Sequence, residues 1–310
     1  MRAKRYDGDG MKPFMVLDDR ISLLVIAADY AVAIAIIVLA IVIDHPLMTF
    51  VAIAVVAGRQ IAFLNLVHAA AHYSLFSVRR MNDRVDLIIA YLIFDGVRPY
   101  RSAHLLHHRL FNREDPERFD YLNDRLLGHN DSPWSRTWKV LVKPLLGGDG
   151  IAFVRSTAGQ ARENPWWTLR LAGYWAGIVA VFWWAGWLRY LLLYWIVPLL
   201  WLYPVFYGWA ELTDHFAVRY DARNQRGLFY SLFLKGHEMY HAIHHVNPRI
   251  PFYRIKAASK YLGTVGEEFE ETRGIVDFMK ILYRRTPRNA ALPAATDLGV
   301  APIAQGSSLM

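Results

Sequence analysis

Four long runs of this chain carry almost no charge, and each is close to the length a helix needs to cross a lipid bilayer: Ile21–Ile43, Leu47–Val67, Trp166–Trp187 and Leu188–Ala210. About 20 apolar residues span the hydrocarbon core as a helix, a structure that satisfies its own backbone groups there. Asp44-His45-Pro46 is a tight turn, so the first two runs form a hairpin with both ends on one side. The last two form a second hairpin, whose return helix Pro198 and Pro204 are expected to kink. Leu87–Phe94 is apolar but too short to cross, and is read as dipping in and coming back. The expected fold is all-α. It is a polytopic membrane protein with four transmembrane helices in two hairpins, a short re-entrant segment and a cytosolic helical cap.

Basic residues orient this arrangement. The turn at Asp44–Pro46 has none and the one near Trp187 has only Arg189, whereas Met1–Arg20, Arg79–Arg162 and the segment after Arg219 hold nearly all the rest. The positive-inside rule then places both termini and the long loop in the cytoplasm, and accounts for much of the +8 net charge. Three regions follow: a cytosolic lead-in over 1–20, one membrane domain with its cap over 21–283, and a disordered tail over 284–310 rich in Ala, Pro, Thr and Ser. No cysteine is present, which excludes disulfides, thiolate-bound iron–sulfur clusters and thiol nucleophiles.

Two features inside this frame make specific expectations. Asp29 and Arg59 interrupt the first two runs at similar depth, and charges in lipid are costly unless paired, so an ion pair is expected, the alternative being that each faces a water-filled cavity. Ser132-Pro133 is a helix-start signal. Beyond it Trp134, Trp138, Leu141, Val142 and Leu145 share a face opposite Arg136, Lys139 and Lys143, as in an interfacial amphipathic helix.

Ten of the 12 histidines fall in four clusters: His68/His72, His104/His107/His108, the lone His215 preceded by Glu211, and His237/His241/His244/His245. Residues three and four apart share a helix face, so each cluster is expected to aim its imidazoles at one point. The predicted topology puts all four clusters at one face of the membrane. Imidazole and carboxylate ligands suit zinc, iron, copper or manganese. A single catalytic zinc uses three protein ligands and would leave most of these side chains idle. Two metals with four or five ligands each account for the number, and two irons can drive O₂ chemistry on an unactivated C–H bond.

The order HxxxH, HxxHH, a lone downstream His and a final HxxHH resembles the membrane fatty-acid desaturase superfamily, with its related alkane hydroxylases and carotenoid ketolases. The flanks agree: the stretch from His107-His108 through Asn112 to Asp115-Pro116-Glu117, and Tyr240 through Pro248 to Pro251 and Tyr253. The likeness covers roughly residues 51–262. It implies that His68, His72, His104, His107, His108, His215, His241, His244 and His245 ligate two irons. Glu211 stands where several family members carry Asn; it is a candidate ligand or bridge, or an acceptor for an imidazole N–H. His237 exceeds the usual pattern and is read as supporting the ligands. Asp115 and Asp214 are candidates to orient ligand imidazoles, with solvated loop carboxylates as the alternative.

The implied function is O₂-dependent desaturation of a lipid acyl chain, with the substrate an acyl-lipid, acyl-thioester or acyl-carrier. The alternative is a diiron membrane hydroxylase or monooxygenase; a membrane zinc hydrolase is a further class, which metal content separates. Nothing in the chain resembles a haem, flavin or nicotinamide site, so electrons are expected from an external ferredoxin, rubredoxin or small cytochrome. Membrane lipids are expected partners, and nucleic acid is not.

Overall fold

Asp18 starts the first long helix by accepting from the Arg20 N–H at 3.0 Å, and α1 then runs Asp19–Ile43. The computed structural model describes residues 9–111, 131–215, 218, 222–227, 230, 238–266 and 269–283. α1 ends where Asp44 turns left-handed at φ 46°. His45 caps α2, Pro46–Ala71, accepting from the Leu47 N–H through Nδ1 at 3.2 Å. An acceptor at the cap and proline at the first position set the new helix direction, so the hairpin forms where the sequence puts it. α2 is the central element, 61% buried over its most apolar stretch against 22% for α1. Leu24, Val42 and other large side chains of α1 face outward. A continuous apolar exterior of this kind needs hydrocarbon around it.

The two charged residues inside the hairpin meet. Arg59 Nη1 donates to Asp29 Oδ1 at 2.8 Å, and both residues are buried. Beside them Gln60 donates to the Trp195 carbonyl at 2.9 Å. That carbonyl belongs to α8, Leu188–His215, which is a third helix long and apolar enough to cross a membrane. α8 is irregular at the two places its prolines foretell. It opens into a π-turn at Leu192–Ile196, just before Pro198, and breaks at Trp201, three residues before Pro204. Proline lacks the N–H that would close the preceding turn, so carbonyls are freed there and need side-chain donors.

Tryptophan supplies several such donors. α4 runs Val97–Phe111, and the segment before it, carrying only single 3-10 turns at Val85–Leu87 and Tyr91–Ile93, is held by Trp175, Trp195 and Trp167. Their indole N–H groups donate to the carbonyls of Tyr91 at 2.8 Å, Leu92 at 2.9 Å and Asp95 at 3.3 Å. Non-helical backbone is tolerated within a membrane domain where protein buries and satisfies it. Trp167 and Trp175 lie on α7, Pro165–Trp184, a 20-residue helix with five Trp. A shorter α3, Arg79–Arg84, precedes the 3-10 turns.

α5 runs through Pro133–Thr137, a π-turn at Trp138–Val142 and Lys143–Leu145, with Ser132 accepting from the Ser135 N–H as its cap. Trp134 is 69% exposed, as an interfacial face requires, but Arg136 is only 5% exposed and does not face solvent. Its Nη1 donates to the Leu282 carbonyl at 2.8 Å. That carbonyl lies at the end of α11, Gly274–Leu282, where the last carbonyls of a helix need donors from outside it. α6, Gly148–Glu163, crosses α8 so closely that a Cβ on Gly150 would lie 2.0 Å from the Leu200 carbonyl oxygen.

The remaining elements gather beyond the ends of α2 and α8. α9, His241–Val246, and α10, Ile255–Thr264, pack with the turn Asp9–Met15, whose Met11 is buried beside Ile250 and Leu262. Among the described residues the fold departs from all-α in one place. β1, Asn224–Arg226, pairs parallel with β2, Glu271–Arg273. Strands of three residues are too short to show the alternation that announces a strand. The expected tail over 284–310 lies outside the described residues.

Candidate metal centre

His68 and His72 sit at the C-terminal end of α2, His215 at the C-terminal end of α8, and the remaining ligands on α4 and α9. Their potential ligand nitrogens form two groups, each with its atoms within 4.8 Å of one another: His68, His72, His104, His108 and His244, and His107, His215, His241 and His245. All nine histidines expected from the sequence are brought together. The expectation that each cluster aims at one point is corrected. Histidines four apart (68/72, 104/108, 241/245) share a group, while His107 and His244 cross to the other. Successive helical residues differ by about 100° around the axis, so an adjacent His-His pair cannot address one ion. Each HxxHH box therefore contributes to both groups. The groups adjoin, with the His108 and His245 rings 4.4 Å apart.

The spacing of the nitrogens tests whether metal fits. His108 Nε2 lies 2.9 Å from His104 Nε2 and 3.0 Å from His244 Nε2, and His68 Nε2 is 2.8 Å from His244 Nε2. In the second group His241 Nε2 is 3.0 Å from His215 Nε2 and 3.1 Å from His245 Nε2. A ring nitrogen has one proton or one lone pair, so hydrogen bonds cannot satisfy such a cluster. Two metal–nitrogen bonds of about 2.1 Å at a right angle place their nitrogens about 3.0 Å apart, against about 3.4 Å for a tetrahedral pair. The donor set fits a metal ion in each group.

Burial, and after it the charge of the neighbouring imidazoles, pushes His104 and His245 well below the usual histidine value. Neutral imidazole is the form that binds metal. Asp214 is buried with Oδ2 3.7 Å from His241 Nδ1, and its other oxygen accepts from Gln225. That is the place of a carboxylate orienting a ligand ring. Glu211, one turn before His215, hydrogen-bonds Tyr207 and lies outside both groups. Asp115 and His237 fall outside the described residues. Tyr100, which the spacing of histidines alone did not single out, stacks on His104 with centroids 5.2 Å apart. Its position four residues before His104 was the available signal.

Comparison with known proteins agrees with this geometry. The family model described as fatty acid desaturase matches residues 44–273, a stretch that contains all nine grouped histidines. A dihydrorhizobitoxine desaturase of Bradyrhizobium elkanii is 26% identical over 268 residues, covering 78% of this chain and 75% of that protein.

Proposed function

This chain belongs to the fatty acid desaturase family, and from that membership we propose an O₂-dependent diiron enzyme that introduces a double bond into a lipid acyl chain. The observation that carries the reading is the sorting of nine histidines into adjacent groups of five and four. Bound there, two irons would supply the redox chemistry by which O₂, two external electrons and two protons convert a –CH₂–CH₂– unit to an alkene and two waters. The relative's name and the family's share desaturation while differing in the molecule acted on, and desaturation is what we carry over.

The protein's own residues have three tasks in this proposal. The histidines hold the metals, and desolvation favours the neutral, metal-binding form of His104 and His245. Asp214 orients the ring of His241, which the 3.7 Å approach of its Oδ2 to Nδ1 supports. The apolar helices α2 and α8 carry histidines of the centre at their C-terminal ends, giving an acyl chain in the bilayer a route to it.

The site also constrains topology. α2 and α8 both deliver ligands from their C-terminal ends to one centre, so both finish at the same membrane face. α1 and α2 cross and return, which leaves α4 on the starting side. For α8 to finish there it must start on the other side, and α7 is the helix available to carry the chain across. This supports four spans in two hairpins, and the Lys- and Arg-rich segments support the centre and both termini on the cytoplasmic face. A separate ferredoxin, rubredoxin or small cytochrome would deliver electrons to that face.

Purified protein should hold two irons per chain, and His107→Ala with His244→Ala should remove both. Lipids of expressing cells should gain an alkene only in air. One zinc per chain, or iron indifferent to those substitutions, would return the reading to a hydrolase; an alcohol in place of the alkene would make the enzyme a hydroxylase.

A further inference from the structure

Arg101 lies three residues before His104 on α4, and its guanidinium reaches the end of α2. Nε donates to the Ala71 carbonyl at 2.8 Å and Nη2 to the Ala70 carbonyl at 3.0 Å. Nη1 donates to the Tyr73 hydroxyl at 2.7 Å and to Asp83 at 2.7 Å. Carbonyls in a helix's last turn point out of the helix and accept such donors. These two belong to the residues just before His72. Tyr73, just after it, has φ 56°, a conformation costly for a bulky side chain unless its surroundings hold it. The guanidinium of Arg79 lies 4.1 Å from the Tyr73 ring centroid and that of Arg101 lies 3.9 Å from it.

We propose that Arg101 is a positioning residue for one of the two metal groups: it locks the end of α2 that carries His68 and His72 against the face of α4 that carries His104 and His108. Four of the five ligands in that group come from these two helices, whereas the other group takes only His107 from them. Loosening the lock therefore disturbs one metal and spares the other, a selectivity that general destabilisation would not produce. A lysine keeps the charge but not the planar fork, so it cannot hold two carbonyls, a hydroxyl and a carboxylate together. The inference rests on the two-metal reading.

The test uses the full chain purified in detergent, stripped of metal and titrated with Fe(II) without oxygen, as wild type, Arg101→Lys and Arg101→Gln. Amide hydrogen exchange over His72–Ser74 and the unfolding temperature are measured on the metal-free forms. Wild type should bind two irons. Both variants should keep one at full affinity and bind the other about 10- to 100-fold more weakly, with faster exchange at His72–Ser74 and an unchanged unfolding temperature. Two irons at wild-type affinity, or equal weakening of both with a lower unfolding temperature, overturns the proposal. A wild type holding fewer than two irons sinks the two-metal reading instead. The exchange in Arg101→Lys then decides the lock alone: faster supports it, unchanged overturns it.

Discussion

His107 and His108 are neighbours in the chain yet belong to different groups, as do His244 and His245. Substitutions should therefore combine by group. His108→Ala should lower iron from two to one per chain, and adding His104→Ala should change little. His107→Ala with His108→Ala should empty both sites, as metal analysis would show. The histidines themselves were legible because their spacing repeats. Their allocation was not, since it depends on how α4 and α9 rotate against each other, which a single helix's pattern does not contain. Proton competition follows from the same burial. His104 and His245 have folded values below the ordinary one, so the unfolded chain takes up protons first as pH falls. The metal-free protein should hold its stability above about pH 6.5, the ordinary histidine value, and lose it progressively below. An unfolding temperature flat from pH 8 to 5 would contradict this.

Between elements, the Asp29–Arg59 pair joins α1 to α2 at 2.8 Å with both residues buried. Removing one partner strands the other's charge, so Asp29→Asn should cost about 3–5 kcal/mol, while replacing both with leucines should cost much less. Chemical unfolding in micelles of the single and the double variant measures the difference. A second tight contact is Gly150 on α6, where any side chain meets the Leu200 carbonyl. Gly150→Ala should lower the unfolding temperature although alanine favours helix. The pair was foreseeable because two isolated charges in apolar runs have few other ways to exist. Three features were not foreseeable. Arg136 turns inward because the end of α11, 146 residues away, presents a carbonyl. The β1–β2 pairing links residues 47 apart in runs of three. The tryptophans act as hydrogen-bond donors to irregular backbone, which no local sequence pattern announces.

For the whole molecule, the count of spans is tied to the metal centre. Hydropathy is satisfied by α1, α2 and α8; α7 carries five Trp and Arg170, which lower its average. If α7 did not cross, His215 would finish on the opposite face from His68, and the ligands could not share a centre. The absence of cysteine makes this directly testable, because one introduced thiol is the only one to label. Leu47→Cys and Trp187→Cys stand on exposed positions at the two turns that the proposal puts outside, and Lys260→Cys stands on the exposed face of α10, which packs on α9. On spheroplasts of an expressing bacterium, a membrane-impermeant maleimide should reach Leu47→Cys and Trp187→Cys at once, and Lys260→Cys only after permeabilisation. Labelling of Leu47→Cys without Trp187→Cys would mean that α7 stays on the inner side. α8 would then carry His215 away from α2, and the nine-histidine centre could not form within one chain.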